Sequence, residues 1–288
     1  MVETNKRIEY LRDFVTDERN ALFDRLIEER TGYIAVVLEE LYQPRNCSAI
    51  LRSCDCLGVQ HVHIIEDEHR FKDDAEISMK AGEWLTLHRY PSSTGGITRA
   101  AKVLKEQGYR VVAATPHARE VMIDDLDLDR GKVAFLLGTE LTGLSREAIA
   151  LADEHVKVPI YGFMESYNVS VCAALLMYSA VQRLRRSGIA WRLGERERQE
   201  VLLAWYKHSI KAFDQIMKRF EEPPPPGTGL SPGLSLGSRL DDLEKACRLQ
   251  GGPTAEAAGH VGPGCEVPPP EIRLLTRPLN QVSSPRDL

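Results

Sequence analysis

The stretch "PIYGFMESYNVSVCAALLMYSAVQRLRR", residues 159–186, begins as a loop and ends as a core helix. Pro159 and Gly162 punctuate its first half, and Glu165, Ser166, Tyr167 and Asn168 form a polar run. From Val169 the apolar residues recur at helical spacing, and Arg183, Arg185 and Arg186 close the segment. Ser166, Tyr167 and Asn168 therefore stand where a buried helix starts. Such side chains can cap the first backbone N–H groups, or the helix N-terminus can hold a ligand.

Upstream, apolar β-branched runs recur at 33–41, 61–66, 84–90, 109–115, 132–138 and 155–160. Helical patterns alternate with them at 47–57, near 73–81, and at 95–107, 145–152 and 169–187. That alternation predicts an α/β fold, a mostly parallel sheet with helices on both faces. The unbroken apolar "VVAA" and "VAFLL" fit central strands covered on both sides. A helical prelude spans 8–30, and 195–220 reads as one amphipathic helix. Beyond it, residues 222–288 hold 12 of the 16 prolines and 9 of the 21 glycines, which predicts a flexible tail with a short helix at 239–249.

The chain of 288 residues is long enough for one full core and a small appendage. A charged N-terminus without an apolar stretch, and no run long enough to span a bilayer, predict a soluble cytoplasmic protein without a membrane partner. The six cysteines lack paired C-x-x-C spacing, so free thiols and no metal site are expected. A net charge of −5 argues against nucleic acid, but residues 183–219 carry ten Lys/Arg against four acids. That segment is either a solvated helix face or a phosphate-binding patch.

No G-x-G-x-x-G or Walker loop is present. Three other loops stand out. In "QPRNCSAILRSCDCLGV", 43–59, Asn46 is placed to cap a helix, and Arg52 sits among Ile50, Leu51 and Leu57. A cation beside a core calls for a carboxylate or phosphate. In "LLGTELTGLS", 136–145, a strand turns through Gly138 and Gly143, with Glu140 between them. The third loop is the opening stretch, with Ser166 and Asn168.

Taken in order, these loops resemble the SpoU branch of the SPOUT RNA methyltransferases. Its N-x-x-A-x-x-R motif is matched by Asn46, Ala49 and Arg52, and its G-x-E-x-x-G loop by Gly138, Glu140 and Gly143. Its S-x-N-V-S-V-A motif is matched by "SYNVSVCAA", with Cys172 where a small residue is usual. The resemblance covers roughly 1–220 and implies a deep C-terminal trefoil knot, a homodimer, and S-adenosyl-L-methionine as methyl donor. By position, Thr115, Gly138, Val158, Ile160 and Tyr167 would bind that cofactor, and Arg52, Asn46, Glu140, Ser166 and Asn168 would be catalytic. The implied layout is a helical RNA-binding extension at 1–30, the methyltransferase domain at 31–190, a basic helix at 191–221 and the tail.

The stretch from Tyr33 is most similar to the subgroup that methylates the 2′-hydroxyl of guanosine 18 in tRNA, although Tyr42-Gln43 replaces the usual His-Lys. Arg30, Arg183, Arg185 and Arg186 are candidate tRNA phosphate contacts. A ribosomal RNA 2′-O-methyltransferase and a catalytically silent RNA-binding protein are the alternatives. Deleting 223–288 is expected to leave the fold, dimer and methyl transfer intact. Loss of soluble dimer on truncation at Glu222, measured by sedimentation, is the opposing result.

Overall fold

The computed structural model describes residues 2–41, 43–66, 74–115, 121–139 and 142–221. Helices α1 (Val2–Arg12) and α2 (Asp17–Ile27) precede strand β1 (Thr31–Glu39), helix α3 (Pro44–Leu57) and strand β2 (Val59–Glu66). A short helix α4 (Ala75–Ser78) leads to β3 (Thr86–Pro91), α5 (Gly96–Glu106), β4 (Tyr109–Ala114) and β5 (Val121–Met122). Then come β6 (Lys132–Leu137), α6 (Arg146–Leu151), β7 (Glu154–Lys157), α7 (Val169–Arg186), α8 (Glu195–Ser209) and α9 (Phe213–Glu221). The expected helix at 239–249, like all of 222–288, lies outside the described residues.

Among the described residues the strands form one sheet in the order β3-β2-β1-β6-β4-β7-β5. Every neighbouring pair is parallel. All six apolar runs became strands, with ends displaced by a few residues. The two residues of β5 were missed because no periodicity can register over so short a span.

A parallel sheet needs cover on both faces. On one face Val36, Leu38, Val62 and Phe135 pack against Ile50 and Leu51 of α3 and Leu176, Met177 and Ala180 of α7. On the other, Ala35, Val37, Ala134 and Leu136 meet Ile97, Ala100 and Leu104 of α5 and Ala148 of α6. Alternate residues of β1 and β6 thus point to opposite layers, as the pleat requires. Pro44 opens α3, and Gly58, at φ 76°, ends it. A Cβ on Gly58 would stand 2.4 Å from the Glu29 carbonyl oxygen, so no other residue fits that turn.

The terminal helices form a third cluster. Leu11 of α1, Phe23 and Ile27 of α2, Trp205 and Tyr206 of α8, and Ile216 and Met217 of α9 are buried together. The segments 1–30 and 191–221, expected as separate appendages, are therefore one packed unit. The single helix expected over 195–220 is two. Ile210 is extended and buried, and the break after it lets both apolar faces reach the same cluster.

Arg30 belongs to this unit and corrects an expectation. Its side chain is buried, its guanidinium pairs with Asp55, and it lies 5.3 Å from the centre of the Trp205 ring. It joins the terminal helices to α3 and does not offer itself to RNA. Truncating one partner of a buried ion pair strands the other charge. Arg30→Ala is therefore expected to lower unfolding free energy by roughly 3 kcal/mol, measured by urea denaturation. A change within about 0.5 kcal/mol would place the guanidinium outside the fold's energetics.

Candidate active site

The C-terminal ends of β4, β6 and β7 open onto a cavity of about 460 Å³, within the range of small-molecule sites. Thr115, Gly138, Val158, Ile160 and Tyr167 all line it, as does Ser166. Sequence reading missed Leu137, Leu144, Ile149 and Val156, which give the cavity its apolar wall. Their pattern was that of ordinary core residues, and only the strand ends reveal that they face a space.

The loop after β6 is closed on itself. Thr139 N–H donates to the Gly143 carbonyl at 3.0 Å, and Gly143 N–H donates back at 3.1 Å. The Thr139 hydroxyl oxygen also accepts the Thr142 N–H at 3.1 Å. Gly143 holds φ at 69°. A Cβ on Gly138 would come within 2.4 Å of the Gly143 carbonyl group, so hydrogen alone fits there. Glu140, between these glycines, lies outside the described residues, as does Tyr42.

The second wall is the 158–168 loop. The Tyr167 hydroxyl donates to the Pro159 carbonyl at 3.0 Å and ties the loop's ends together. Asn168 caps α7: its Oδ1 accepts from Ser170 N–H at 2.9 Å. Its amide donates to Asn46 Oδ1 at 3.2 Å, which joins the starts of α3 and α7. The cap and the cavity's lining thus meet at one helix start. Asn46 does not cap α3. Gln43 occupies that position without a side-chain bond, and Asn46 is buried as the third residue of the helix.

Cys172 lines the cavity too, and burial pushes its thiol up to about 11. It is uncharged at neutral pH and serves as wall, not nucleophile. Arg52 is exposed on α3, where its Nη1 approaches the Ile77 carbonyl oxygen at 3.5 Å. It lines a shallow apolar groove between α3 and α7, with Val171, Leu175 and Tyr178, not the cavity itself. The groove side chains of α7 are well exposed, Tyr178 by 57%. Among the described residues no group of three His, Cys, Asp or Glu could hold a metal ion. No helix among them is long and apolar enough to cross a membrane.

The profile of the SpoU rRNA methylase family matches residues 33–178, which include the cavity, both loops and Arg52. The chain belongs to the SpoU rRNA methylase family. Among SpoU relatives, the tRNA (guanosine(18)-2′-O)-methyltransferase of Borreliella burgdorferi is 37% identical over 211 residues. That alignment covers 73% of this chain and 94% of the relative. The enzyme of the same name from Thermus thermophilus is 33% identical, over 67% of this chain and 97% of its own. The crystal structure of the A. aeolicus TrmH/SpoU tRNA modifying enzyme superposes with a TM-score of 0.61. It covers 67% of this chain and 98% of its own at 24% identity, and so attests the α/β fold.

The remaining basic candidates divide. Arg183 donates to the Ile123 carbonyl at 2.8 Å and to the Leu126 carbonyl. Arg185 pairs with Glu29 and lies 4.8 Å from the Trp191 ring centre. Arg186 is exposed. In this SpoU chain a Cβ on Gly138 would meet three backbone atoms of Gly143 and Leu144 within 2.5 Å. Gly138→Ala is expected to cost roughly 1–3 kcal/mol, since the added methyl must displace backbone. Thermal unfolding beside wild type measures it, and an unchanged midpoint would contradict the close approach.

Proposed function

We propose that the protein methylates the 2′-hydroxyl of guanosine 18 in tRNA, with S-adenosylmethionine as donor. The observation that carries this reading is the cavity at the ends of β4, β6 and β7, walled by the Gly138–Gly143 and 158–168 loops. Its volume and apolar lining fit an adenosine, and Thr115, Glu165 and Ser166 supply polar atoms for the amino-acid end. Relatives that share nearly their whole length with this chain carry the tRNA activity in their names, which favours tRNA over ribosomal RNA.

The bound cofactor supplies a methyl group already activated on a sulfonium. What the protein must add is position and charge. Thr115, Gly138, Val158, Ile160 and Tyr167 hold the cofactor, and the paired Asn46 and Asn168 set the starts of α3 and α7 beside it. Ser166 orients the ribose, and Glu140 secures its loop. Arg52, always charged, clamps the phosphate beside the target ribose and stabilises the alkoxide that develops there. Its exposed fork, without a carboxylate partner among the described residues, supports that role. A guanidinium holds its protons too firmly to act as a base, so the hydroxyl's proton leaves to solvent.

The functional unit in this reading is a homodimer. The groove of Val171, Leu175 and Tyr178 is its contact face, and Arg52 at the edge of that groove serves the partner's cavity. Family membership supports the trefoil knot, tied from segments around 110–175. Arg186 and the exposed basic side chains of α8 and α9 meet tRNA phosphates, with affinity falling steeply as salt rises. Arg183 and Arg185, held by carbonyls and Glu29, shape that surface. The setting is the cytoplasm, in keeping with free thiols at Cys54, Cys56 and Cys172.

Arg52→Ala is expected to slow single-turnover methylation of tRNA by about 10²–10³, the usual loss for one preorganised electrostatic contact. Cofactor affinity by calorimetry should stay within about twofold, and Arg52→Lys should recover little because an ammonium lacks the planar fork. Near-normal turnover in Arg52→Ala would remove the residue from the mechanism. Absence of ribose methylation at position 18 with the wild-type protein would refute the activity itself.

A further inference from the structure

Glu39 is the last residue of β1 and is buried, 7% exposed. A buried carboxylate is costly unless its oxygens are satisfied. Both oxygens converge on one residue across the sheet's end. Oε2 accepts the Ser145 N–H at 2.9 Å, and Oε1 accepts the Ser145 hydroxyl at 2.7 Å. The Ser145 oxygen in turn accepts the Ala148 N–H at 3.0 Å and caps α6. Ser145 directly follows Gly143 and Leu144, two residues of the cavity wall.

The loop's other end is also tied to β1, through the sheet. Leu38 and Leu137 are in register, and Gly138 is the next residue of the wall. The 138–145 loop is thus fixed at both ends to consecutive residues of one strand, first by ladder hydrogen bonds and then by Glu39. An apolar side chain at position 39 would fill the same space, but it could not hold Ser145 by two donors.

We propose that Glu39 is a positioning residue for cofactor binding: by gripping Ser145 it sets the Gly143–Leu144 wall of the cavity. The inference rests on the S-adenosylmethionine reading of that cavity. It separates from a general stabilising role because both hydrogen bonds of the grip go to Ser145, next to one wall of the cavity.

The test is calorimetric titration of S-adenosylmethionine into the full-length protein, with steady-state kinetics alongside. Glu39→Gln keeps the shape but leaves one acceptor for two donors. It should weaken binding about tenfold, or about 1.4 kcal/mol. The kcat at saturating cofactor and the KM for tRNA should stay within about twofold. Ser145→Ala should weaken binding similarly, the double variant should be no worse than either, and Ser145→Thr should bind as wild type. Wild-type affinity in Glu39→Gln would overturn the proposal. So would additive losses in the double variant, or parallel falls in kcat, tRNA affinity and thermal stability. Should Glu39→Gln fail to fold, equal binding by Ser145→Ala and Ser145→Thr would overturn it. A wild-type protein that binds no S-adenosylmethionine refutes the cofactor reading instead.

Discussion

A parallel sheet leaves apolar side chains on both faces and must be covered twice. Most of this structure follows from that constraint. The β1–β6 pairing at the centre directs Val36 and Phe135 toward α3 and α7, and Ala35 and Ala134 toward α5 and α6. All neighbouring strands are parallel, so their C-terminal ends gather at one edge. The cavity lies at that edge, where β4, β6 and β7 release their chains.

Loops at such an edge have no sheet to hold them, so the sequence supplies other restraints. The loop after β6 is closed by reciprocal Thr139–Gly143 hydrogen bonds, with a glycine wherever space or φ admits nothing else. The loop before α7 is closed by Tyr167 on Pro159, and Asn168 links it to α3 through Asn46. Most of these restraints are short hydrogen bonds within a few residues, and each sets one wall of the cavity. Binding sites need walls held in advance, because ordering a loop on binding subtracts from affinity.

The charge distribution follows a similar division. A basic residue in this chain is not by that fact a nucleic-acid contact. Arg30 is taken by Asp55 and Trp205, Arg183 by two carbonyls, and Arg185 by Glu29 and Trp191. Such guanidiniums join elements, whereas Arg52 and Arg186 are exposed without a carboxylate partner among the described residues.

The sequence by itself determined the α/β class, six of the seven strands and the motif-bearing loops. Those are encoded locally, in hydrophobic period, glycine placement and motif spacing, and the family follows from the same residues. Tertiary structure decided what those local signals cannot carry. Whether Arg30 meets water or Trp205 depends on a helix some 170 residues further along the chain. That residues 1–30 and 191–221 form one unit depends on apolar faces too far apart in sequence to be paired by any pattern. The break at Ile210 places apolar residues of both α8 and α9 in the cluster that α1 and α2 share. Glu39 lies inside the apolar run 33–41, and the residue that satisfies its buried carboxylate, Ser145, arrives from beyond β6. Contacts between distant segments are settled by which surfaces close packing brings together, and no short window of sequence contains them.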